Sequence, residues 1–238
     1  MIQLSQRRNA LVTGAGRGIG AAIAKVLATA GAHVGLVARS ISEIEAVVDE
    51  IRRAGGSAEA IHGDLATEPE RIAAAALERF GNIDILVNNA AEQTFAPVSE
   101  LNPHAFRESV AVNLIAPFIL ARALLPEMLV RCDGWIINIA SDLAYRVRSG
   151  GAAYCSTKRA LVALSEVIQL EHRARGIRVS VILPGITATS WDGSPPDHPD
   201  KAQDLDPEDI AEAVLWCCTR RRGARIDSIV VHPAAQDS

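Results

Sequence analysis

The chain has 238 residues, of which 49% are hydrophobic and 22% are charged, and its formal net charge is −4. This length and apolar content suit one large α/β domain better than two small ones. The sequence has no basic stripe of the kind that binds nucleic acid, no apolar run near the ~20 residues that span a bilayer, and no signal-peptide core at its N terminus. We therefore expect a cytoplasmic protein without a nucleic-acid or membrane partner.

The cysteines and histidines show no metal-ligand spacing. Cys132, Cys155, Cys217 and Cys218 form no Cys-x-x-Cys pair, and there is no His-Glu-x-x-His motif. The sequence therefore predicts reduced thiols and no metal site.

Short β-like runs alternate with helical stretches along the whole chain. Strands are predicted at 9–13, 32–38, 58–62, 83–87, 135–139, 177–183 and 227–231. Helices are predicted at 17–30, 41–54, 69–80, 103–130, 152–175 and 207–219, with Pro117 expected to bend or break the fourth. The alternation predicts one Rossmann-like domain over residues 1–238. This domain is a doubly wound parallel α/β sheet of about seven strands with helices on both faces.

One irregular segment, 191–204, is rich in Pro, Asp and Gly. It follows the sixth predicted strand, and the carboxyl ends of parallel strands face the ligand crevice. We expect 186–206 to form a loop on the substrate side. Residues 191–204 are then either a lid over the substrate or a mobile surface loop.

A glycine-rich turn joins the first predicted strand to the first helix. In such a place glycines let the backbone approach a pyrophosphate, and the helix N terminus offers free N–H groups and a favourable dipole. The alternative is a plain tight turn, which the position at the start of an alternating chain disfavours. The predicted cofactor residues here are Thr13, Gly14, Gly16, Arg17, Gly18, Ile19 and Gly20.

The second predicted strand ends at Ala38, and Arg39 and Ser40 follow it. Enzymes that prefer NAD usually carry an acidic residue there, on the ribose 2′-hydroxyl. A guanidinium instead binds a 2′-phosphate with two hydrogen bonds, and Arg17 adds a second positive charge. We predict NADP(H) as the cofactor. The alternative is that Arg39 is only an exposed residue before the next helix.

Tyr154 and Lys158 lie four residues apart on a predicted helix, so their side chains project from one face. The ammonium favours phenolate and is expected to lower a pKa that is otherwise about 10. Ser141 lies a short way upstream. Many surface helices carry such a Tyr and Lys by chance, so the motif gains its value from the other motifs of the chain.

Together these motifs resemble the short-chain dehydrogenase/reductase family, in its compact single-domain branch, over essentially the whole chain. The glycine turn matches the family's cofactor turn, Asp64 and Leu65 match the pair that meets the adenine, and Asn89 and Ala90 match the run beside the cofactor. The segment beside the nicotinamide is matched by Pro184, Gly185, Ile186, Thr187 and Thr189.

The resemblance implies hydride transfer between a nicotinamide and a carbonyl or secondary alcohol carbon, catalysed by Asn113, Ser141, Tyr154 and Lys158. Tyr154 would be the general acid and base. Lys158 would lower the pKa of Tyr154 and hold the nicotinamide ribose, so both residues also count as cofactor-binding. Ser141 would bind the carbonyl oxygen, and Asn113 would hold a water of a proton relay.

The residues that contact the substrate are predicted less specifically by the sequence. The residues after the strand ends that frame the crevice include Ser141, Leu143, Tyr154 and Trp191, with Ala144, Glu92, Gln93 and Ile186 as further candidates. Arg146 and Arg148 either attract an acidic substrate or are surface charges.

Two features depart from the family pattern. Ala91 replaces the glycine that usually follows Asn-Asn-Ala, and the chain ends without the usual glycine pair, at 232–235. A 3-oxoacyl thioester reductase and a non-catalytic nucleotide-sensing protein of the same fold stay as alternatives. The helices at 103–130 and 152–175 resemble the family's pairing helices, so a homotetramer or a homodimer is expected.

Overall fold

The computed structural model describes residues 3–4, 6–190, 193–221 and 223–236. In this part of the chain, seven strands form one sheet in the order β3-β2-β1-β4-β5-β6-β7, and every neighbouring pair is parallel. The strands are β1 Asn9–Thr13, β2 His33–Ala38, β3 Ser57–His62, β4 Ile85–Asn88, β5 Gly134–Ile139, β6 Ile177–Pro184 and β7 Ser228–Val231.

Helices cover both faces of this sheet. They are α1 Gly18–Thr29, α2 Ile41–Arg53, α3 Pro69–Phe80, α4 Pro103–Val110, α5 Ala116–Arg131, α6 Ala152–His172 and α7 Pro207–Cys218. Buried residues of α1, α2 and α7 form one core with one face, and those of α3, α5 and α6 form a second core with the other. The doubly wound fold predicted from the alternation is confirmed.

The central strands β4 and β5 have almost continuously apolar sequences. Every residue of β4 and of β5 is buried, because both faces of these strands are covered by helices. The strand order reverses between β1 and β4. In such sheets the crevice for a ligand opens at the carboxyl ends of the strands beside this switch point.

The predicted helix at 103–130 is not continuous. A π-helical turn, Ala111–Ile115, separates α4 from α5. Pro117 has no N–H to donate to the carbonyl of Asn113, four residues earlier, and the wider turn accommodates this missing bond. The interruption expected at Pro117 therefore lies just before it. The helix predicted to reach residue 175 ends at His172, and a 3₁₀ turn, Arg173–Arg175, follows.

The run Pro103–Arg131 is long and apolar enough, by length and composition, to match a membrane span. It contains no long uninterrupted apolar stretch, because polar residues such as Asn113 and Arg122 interrupt it. Length and composition do not separate a membrane helix from a core helix. Here Leu120, Leu124 and Met128 of α5 are buried in the second core, as expected for a helix that covers a sheet.

The segment after β6 is tied to the body of the protein at several points. An isolated bridge pairs Thr187 with Leu205, and the Lys201 ammonium donates hydrogen bonds to the carbonyls of Thr189 and Ser194. Trp191, predicted to contact the substrate, lies outside the described residues.

Candidate active site

A cleft of about 280 Å³ opens at the carboxyl ends of the strands beside the switch point. Thirteen of the predicted cofactor residues line it: Gly14, Gly16, Arg17, Gly18, Ile19, Gly20, Arg39, Ser40, Asp64, Leu65, Asn89, Ala90 and Thr189. Lining residues outside that prediction are Ala38, Glu43, Gly63, Ala91, Glu92, Val112 and Ser190. Most of these seven adjoin predicted positions, and Val112 directly precedes the predicted catalytic residue Asn113, whereas Glu43 comes from the first turn of α2, which no motif marks.

Three glycines of the turn, Gly14, Gly18 and Gly20, occupy positions that disfavour a side chain. Gly14 has a φ of +63° and Gly18 a φ of +53°, which side-chain-bearing residues rarely adopt. A Cβ on Gly20 would overlap the carbonyl oxygen of Gly14. Arg17, the residue before α1, makes no side-chain cap, so the first N–H groups of this helix have no side-chain partner. Exposed backbone donors at a helix start fit the phosphates of a dinucleotide.

Thr13 does not line the cleft but fixes its floor. Its hydroxyl accepts hydrogen bonds from the N–H groups of Asn89 and Ala90, both at 3.0 Å, and donates to the Val87 carbonyl. The Asn89 amide donates to the carbonyls of Thr13 and Gly14. The glycine turn and the end of β4 are therefore held together by polar side chains.

Charged residues line the outer part of the cleft. Arg17 and Arg39 are exposed, and Ser40 caps α2 by accepting a hydrogen bond from the N–H of Glu43. The Glu43 carboxylate lies close to Gly16, because a Cβ there would be 3.0 Å from Oε2. The cleft thus carries two guanidiniums, those of Arg17 and Arg39, and three carboxylates, those of Glu43, Asp64 and Glu92.

Ser141, Tyr154 and Lys158 come together at the carboxyl end of β5. Ser141 follows this strand and begins a 3₁₀ turn, Asp142–Ala144, while the other two occupy the first turns of α6. Ser141 forms a hydrogen bond with the Tyr154 hydroxyl. Lys158 Nζ lies 5.6 Å from the centre of the Tyr154 ring and donates to the carbonyl of Ile139 at 2.7 Å.

Burial controls the electrostatics of this trio. It raises the pKa of Tyr154 to about 12, against a smaller lowering by the Ser141 hydrogen bond. It also lowers the pKa of Lys158 to about 7. The expectation that Lys158 brings the pKa of Tyr154 below 10 is therefore wrong for this structure, because burial of the phenol disfavours its charged form and outweighs the lowering by Ser141.

Asn113 lies in the π-helical turn and is fully buried. Its side-chain amide exchanges hydrogen bonds with the backbone of Glu92, at 2.7 and 2.8 Å, and donates to the Thr157 hydroxyl at 3.0 Å. It connects the loop after β4 with α6. Its amide group is thus held by protein partners.

Phe95 is a neighbour of the trio that no sequence motif marks. Its ring centre lies 5.7 Å from that of Tyr154, and the Arg148 guanidinium lies 4.4 Å above it. Of the predicted substrate residues, Leu143 is half-buried beside Ser141, whereas Ile186 is exposed. Pro184, Gly185, Ile186 and Thr187 lie at the end of β6 and do not line the 280 Å³ cleft.

A model of the short chain dehydrogenase family matches residues 8–199. The chain belongs to the short-chain dehydrogenase/reductase family. An uncharacterized oxidoreductase of Staphylococcus aureus is 31% identical over 226 residues, which are 94% of this chain and 96% of that protein. As a short-chain dehydrogenase/reductase, the protein is an NAD(P)-dependent oxidoreductase.

Solved structures of this family superpose closely on it. An alcohol dehydrogenase of the archaeon Thermococcus sibiricus, complexed with 5-hydroxy-NADP, has a TM-score of 0.90 at 32% identity and covers 98% of this chain and 99% of its own. A metagenomic short-chain oxidoreductase in complex with NADP has a TM-score of 0.85 at 36% identity and covers 96% and 98%.

Proposed function

We propose that this protein interconverts a small carbonyl compound and its secondary alcohol with NADP(H), and that Tyr154 is the general acid and base. The observation that carries the proposal is the buried hydrogen bond between Ser141 and Tyr154, with Lys158 one helical turn away. A non-catalytic nucleotide-binding protein of this fold would not need these groups together.

The nicotinamide, when bound, supplies a hydride to a carbonyl carbon or accepts one from an alcohol carbon. Tyr154 donates its proton to the developing alkoxide in reduction and takes the hydroxyl proton in oxidation. The raised pKa of Tyr154 keeps the phenol protonated at neutral pH, which suits reduction. The Ser141 hydroxyl stabilises the charge that develops on the substrate oxygen.

Lys158 has two roles in this proposal. Because burial lowers its pKa to about 7, its ammonium can release and regain a proton near neutral pH. In its charged form it favours the phenolate that Tyr154 becomes after proton donation. Its hydrogen bond to the Ile139 carbonyl holds the amine beside the Tyr154 ring in either form.

The preference for NADP(H) is supported by Arg17 and Arg39 at the mouth of the cleft. A guanidinium can bind a 2′-phosphate with two hydrogen bonds, whereas NAD(H) offers it only a hydroxyl. The NADP ligands of the two superposed structures agree with this choice. The half-buried apolar side chains of Phe95 and Leu143 favour a small, largely apolar substrate.

We further propose a cytoplasmic homotetramer, with a homodimer as alternative. Large apolar side chains of the π-helical turn, α5 and α6 are exposed in the single chain, namely Ile115, Phe118, Val130, Val167 and Leu170. Contiguous exposed apolar surface commonly marks a protein interface. Light scattering at micromolar concentration tests this proposal, and a monomeric mass would contradict it.

The function is tested with a Tyr154→Phe variant and Tyr145→Phe as its matched control, since these are the two tyrosines of the chain. Ketones, aldehydes and a 3-oxoacyl thioester are assayed with NADPH, and NADPH binding is followed by fluorescence. We expect Tyr154→Phe to lose turnover by about 10³-fold with little change in Kd, and Tyr145→Phe to remain active. Turnover retained in Tyr154→Phe would contradict the mechanism. Tight binding without turnover by the wild type would favour the nucleotide-sensing alternative.

A further inference from the structure

A buried carboxylate lies directly beside the catalytic serine. Asp142 is only 9% exposed, and its Oδ1 accepts a hydrogen bond from the Ser141 hydroxyl at 3.2 Å. The same hydroxyl oxygen accepts a hydrogen bond from the Leu143 N–H at 3.2 Å. A serine hydroxyl has one proton and rotates freely unless its partners fix it. Asp142 and the Leu143 N–H together define where that proton and the lone pairs of Ser141 point.

The other oxygen of Asp142 is held by the C-terminal segment, 232–236. Gln236 Nε2 donates to Oδ2 at 2.8 Å, and His232 Nε2 lies 3.6 Å from the same oxygen. Arg146, on the exposed side, lies 3.9 Å away. A carboxylate removed from water needs such donors, because its desolvation is otherwise costly. The Gln236 amide, 94 residues further along the chain, thus holds Asp142 in its orientation.

Gln236 also reaches the end of β6. Its Oε1 accepts a hydrogen bond from the Ile186 N–H at 3.1 Å. A Cβ on Gly185 would overlap this Oε1 and would lie 3.0 Å from both His232 and Pro233. The C-terminal segment therefore packs into the space that the absent side chain of Gly185 leaves. One glutamine links the segment after β6 to the carboxylate beside Ser141.

We infer that Asp142 is a positioning residue for Ser141, and that Gln236 of the C-terminal segment holds it in place. The inference rests on the proposed function, because it assigns Asp142 an effect on the same reaction. Asp142 and the Leu143 N–H hold the Ser141 side chain so that its oxygen meets the Tyr154 hydroxyl before a substrate arrives, and the Ser141 proton then turns from Asp142 to the substrate oxygen as charge develops there. The family's usual glycine pair is absent at 232–235, and in this chain the segment 232–236 contacts Asp142.

Asp142 also acts on Tyr154 through its charge. A nearby carboxylate disfavours phenolate, and Asp142 contributes to the raised pKa of Tyr154 together with Cys155. Among the described residues, the other titratable group close to this ring is Lys158, and His232 and Arg146 face Asp142 itself. Removal of the Asp142 charge should therefore move the pH profile, which a purely structural role would not do.

The test compares Asp142→Asn, Asp142→Ala and Gln236→Ala with the wild type. A distant exposed glutamine provides the control variant Gln3→Ala. For each variant, kcat and KM for the carbonyl substrate, the Kd for NADPH and the pH profile of alcohol oxidation are measured. Loss of a hydrogen bond of about 1.4 kcal/mol corresponds to about tenfold in rate, so we expect Asp142→Ala to lower kcat about tenfold with an unchanged NADPH Kd.

The other variants separate positioning from folding. Asp142→Asn should shift the pH profile of oxidation to lower pH, because the phenolate then forms more easily, and Gln236→Ala should lower kcat several-fold. Gly185→Ala should reproduce the effect of Gln236→Ala, and Gln3→Ala should behave as the wild type. Wild-type kcat and pH profile in folded Asp142→Asn would overturn the inference while the proposed function stands. Absence of turnover in the wild type itself would overturn both.

Discussion

Lys158 and Tyr154 are buried side by side, with Nζ 5.6 Å from the ring centre, and burial moves their pKa values in opposite directions. The pKa of Tyr154 rises to about 12 and that of Lys158 falls to about 7. In both cases the neutral form gains, because the interior solvates charge less well than water. The trio is thus a protonated phenol beside an amine that titrates near neutral pH.

The first prediction concerns the pH dependence of stability. With a lowered pKa, Lys158 is deprotonated in the folded protein between about pH 7 and its ordinary pKa of 10.5, while the unfolded chain is protonated there. Lys158 therefore increases the free energy of unfolding as the pH rises, by about 1.4 kcal/mol per pH unit at most. A Lys158→Met variant loses this gain, so its stability relative to the wild type should be greatest near pH 7 and decline toward pH 10.

Urea denaturation at pH 7, 8, 9 and 10 measures this difference. Lys25→Met is the control, because Lys25 is about half exposed and pairs with Glu50 on the surface. Its difference from the wild type should show no such decline across this range. A pH-independent difference for Lys158→Met would mean that the amine of Lys158 keeps an ordinary pKa.

The second prediction concerns the choice between NADPH and NADH. Arg39→Asp replaces a guanidinium at the mouth of the cleft by a carboxylate, which repels a 2′-phosphate and can accept a hydrogen bond from a ribose hydroxyl. The loss of a charge-assisted contact of about 1.5–3 kcal/mol should weaken NADPH binding about 10- to 100-fold and leave NADH binding little changed or improved. Fluorescence titration with both nucleotides gives the ratio.

Glu43 provides the opposite variant for the same titration. Its carboxylate lies beside Gly16 in the same cleft, so Glu43→Gln removes a negative charge near the predicted phosphate site. The NADPH to NADH affinity ratio should rise in Glu43→Gln and fall in Arg39→Asp. An unchanged ratio in Arg39→Asp would show that Arg39 is only an exposed residue before α2.

The third prediction concerns Asn113, whose fully buried amide makes three hydrogen bonds. Asn113→Ala leaves the Glu92 backbone groups without these partners, and each unsatisfied buried group costs about 1–3 kcal/mol. We expect a loss of about 2–4 kcal/mol in the free energy of unfolding and a fall in kcat, since the π-helical turn loses its connection to α6. The control is Asn102→Ala, which removes the exposed cap of α4 and should cost only about 1 kcal/mol.

Sequence patterns predicted the parts of this site that depend on local order. Strand and helix alternation predicted the parallel, doubly wound sheet, and the glycine turn, Arg39, Asp64 and Asn89 line the cleft. These positions follow from where strands end, which the chain pattern reveals. The π-helical turn was only hinted at by Pro117, because its register depends on the packing of the helix.

Other features depend on contacts between distant parts of the chain. Gln236 meets Asp142 across 94 positions, and Phe95 packs on Tyr154 from another loop. The hydrophobic periodicity of a sequence does not predict contacts between such distant residues. The pKa of Tyr154 was likewise predicted in the wrong direction, because the sequence shows the neighbouring lysine but not the extent to which both groups are buried.

The last prediction concerns stability at the amino ends of the strands, on the side of the sheet away from the cleft. Asp133, just before β5, forms ion pairs with Arg8, at 2.7 Å, and with Arg178. Both guanidiniums lie over the Trp135 ring, at 4.8 and 3.6 Å from its centre, and all of these side chains are buried or nearly so. Asp133→Ala removes the carboxylate that the two cations share. Loss of one partner from a buried ion pair costs about 3–5 kcal/mol. Asp84, 3.7 Å from Arg8, remains to offset part of that loss, so the lower end of this range is expected.

Urea denaturation of Asp133→Ala should show this loss, while the NADPH Kd of the folded variant stays unchanged. The cluster lies at the amino ends of the strands, whereas the cleft opens at their carboxyl ends. Asp227→Ala is the matched control, since it breaks an ion pair with Arg225 that is about half exposed and is worth less than about 1 kcal/mol. Equal losses in the free energy of unfolding would mean that the buried ion pairs of Asp133 stabilise the fold no more than the exposed pair of Asp227. A weakened NADPH affinity in folded Asp133→Ala would instead show that the ion-pair cluster at the amino ends of the strands affects the cleft at their carboxyl ends.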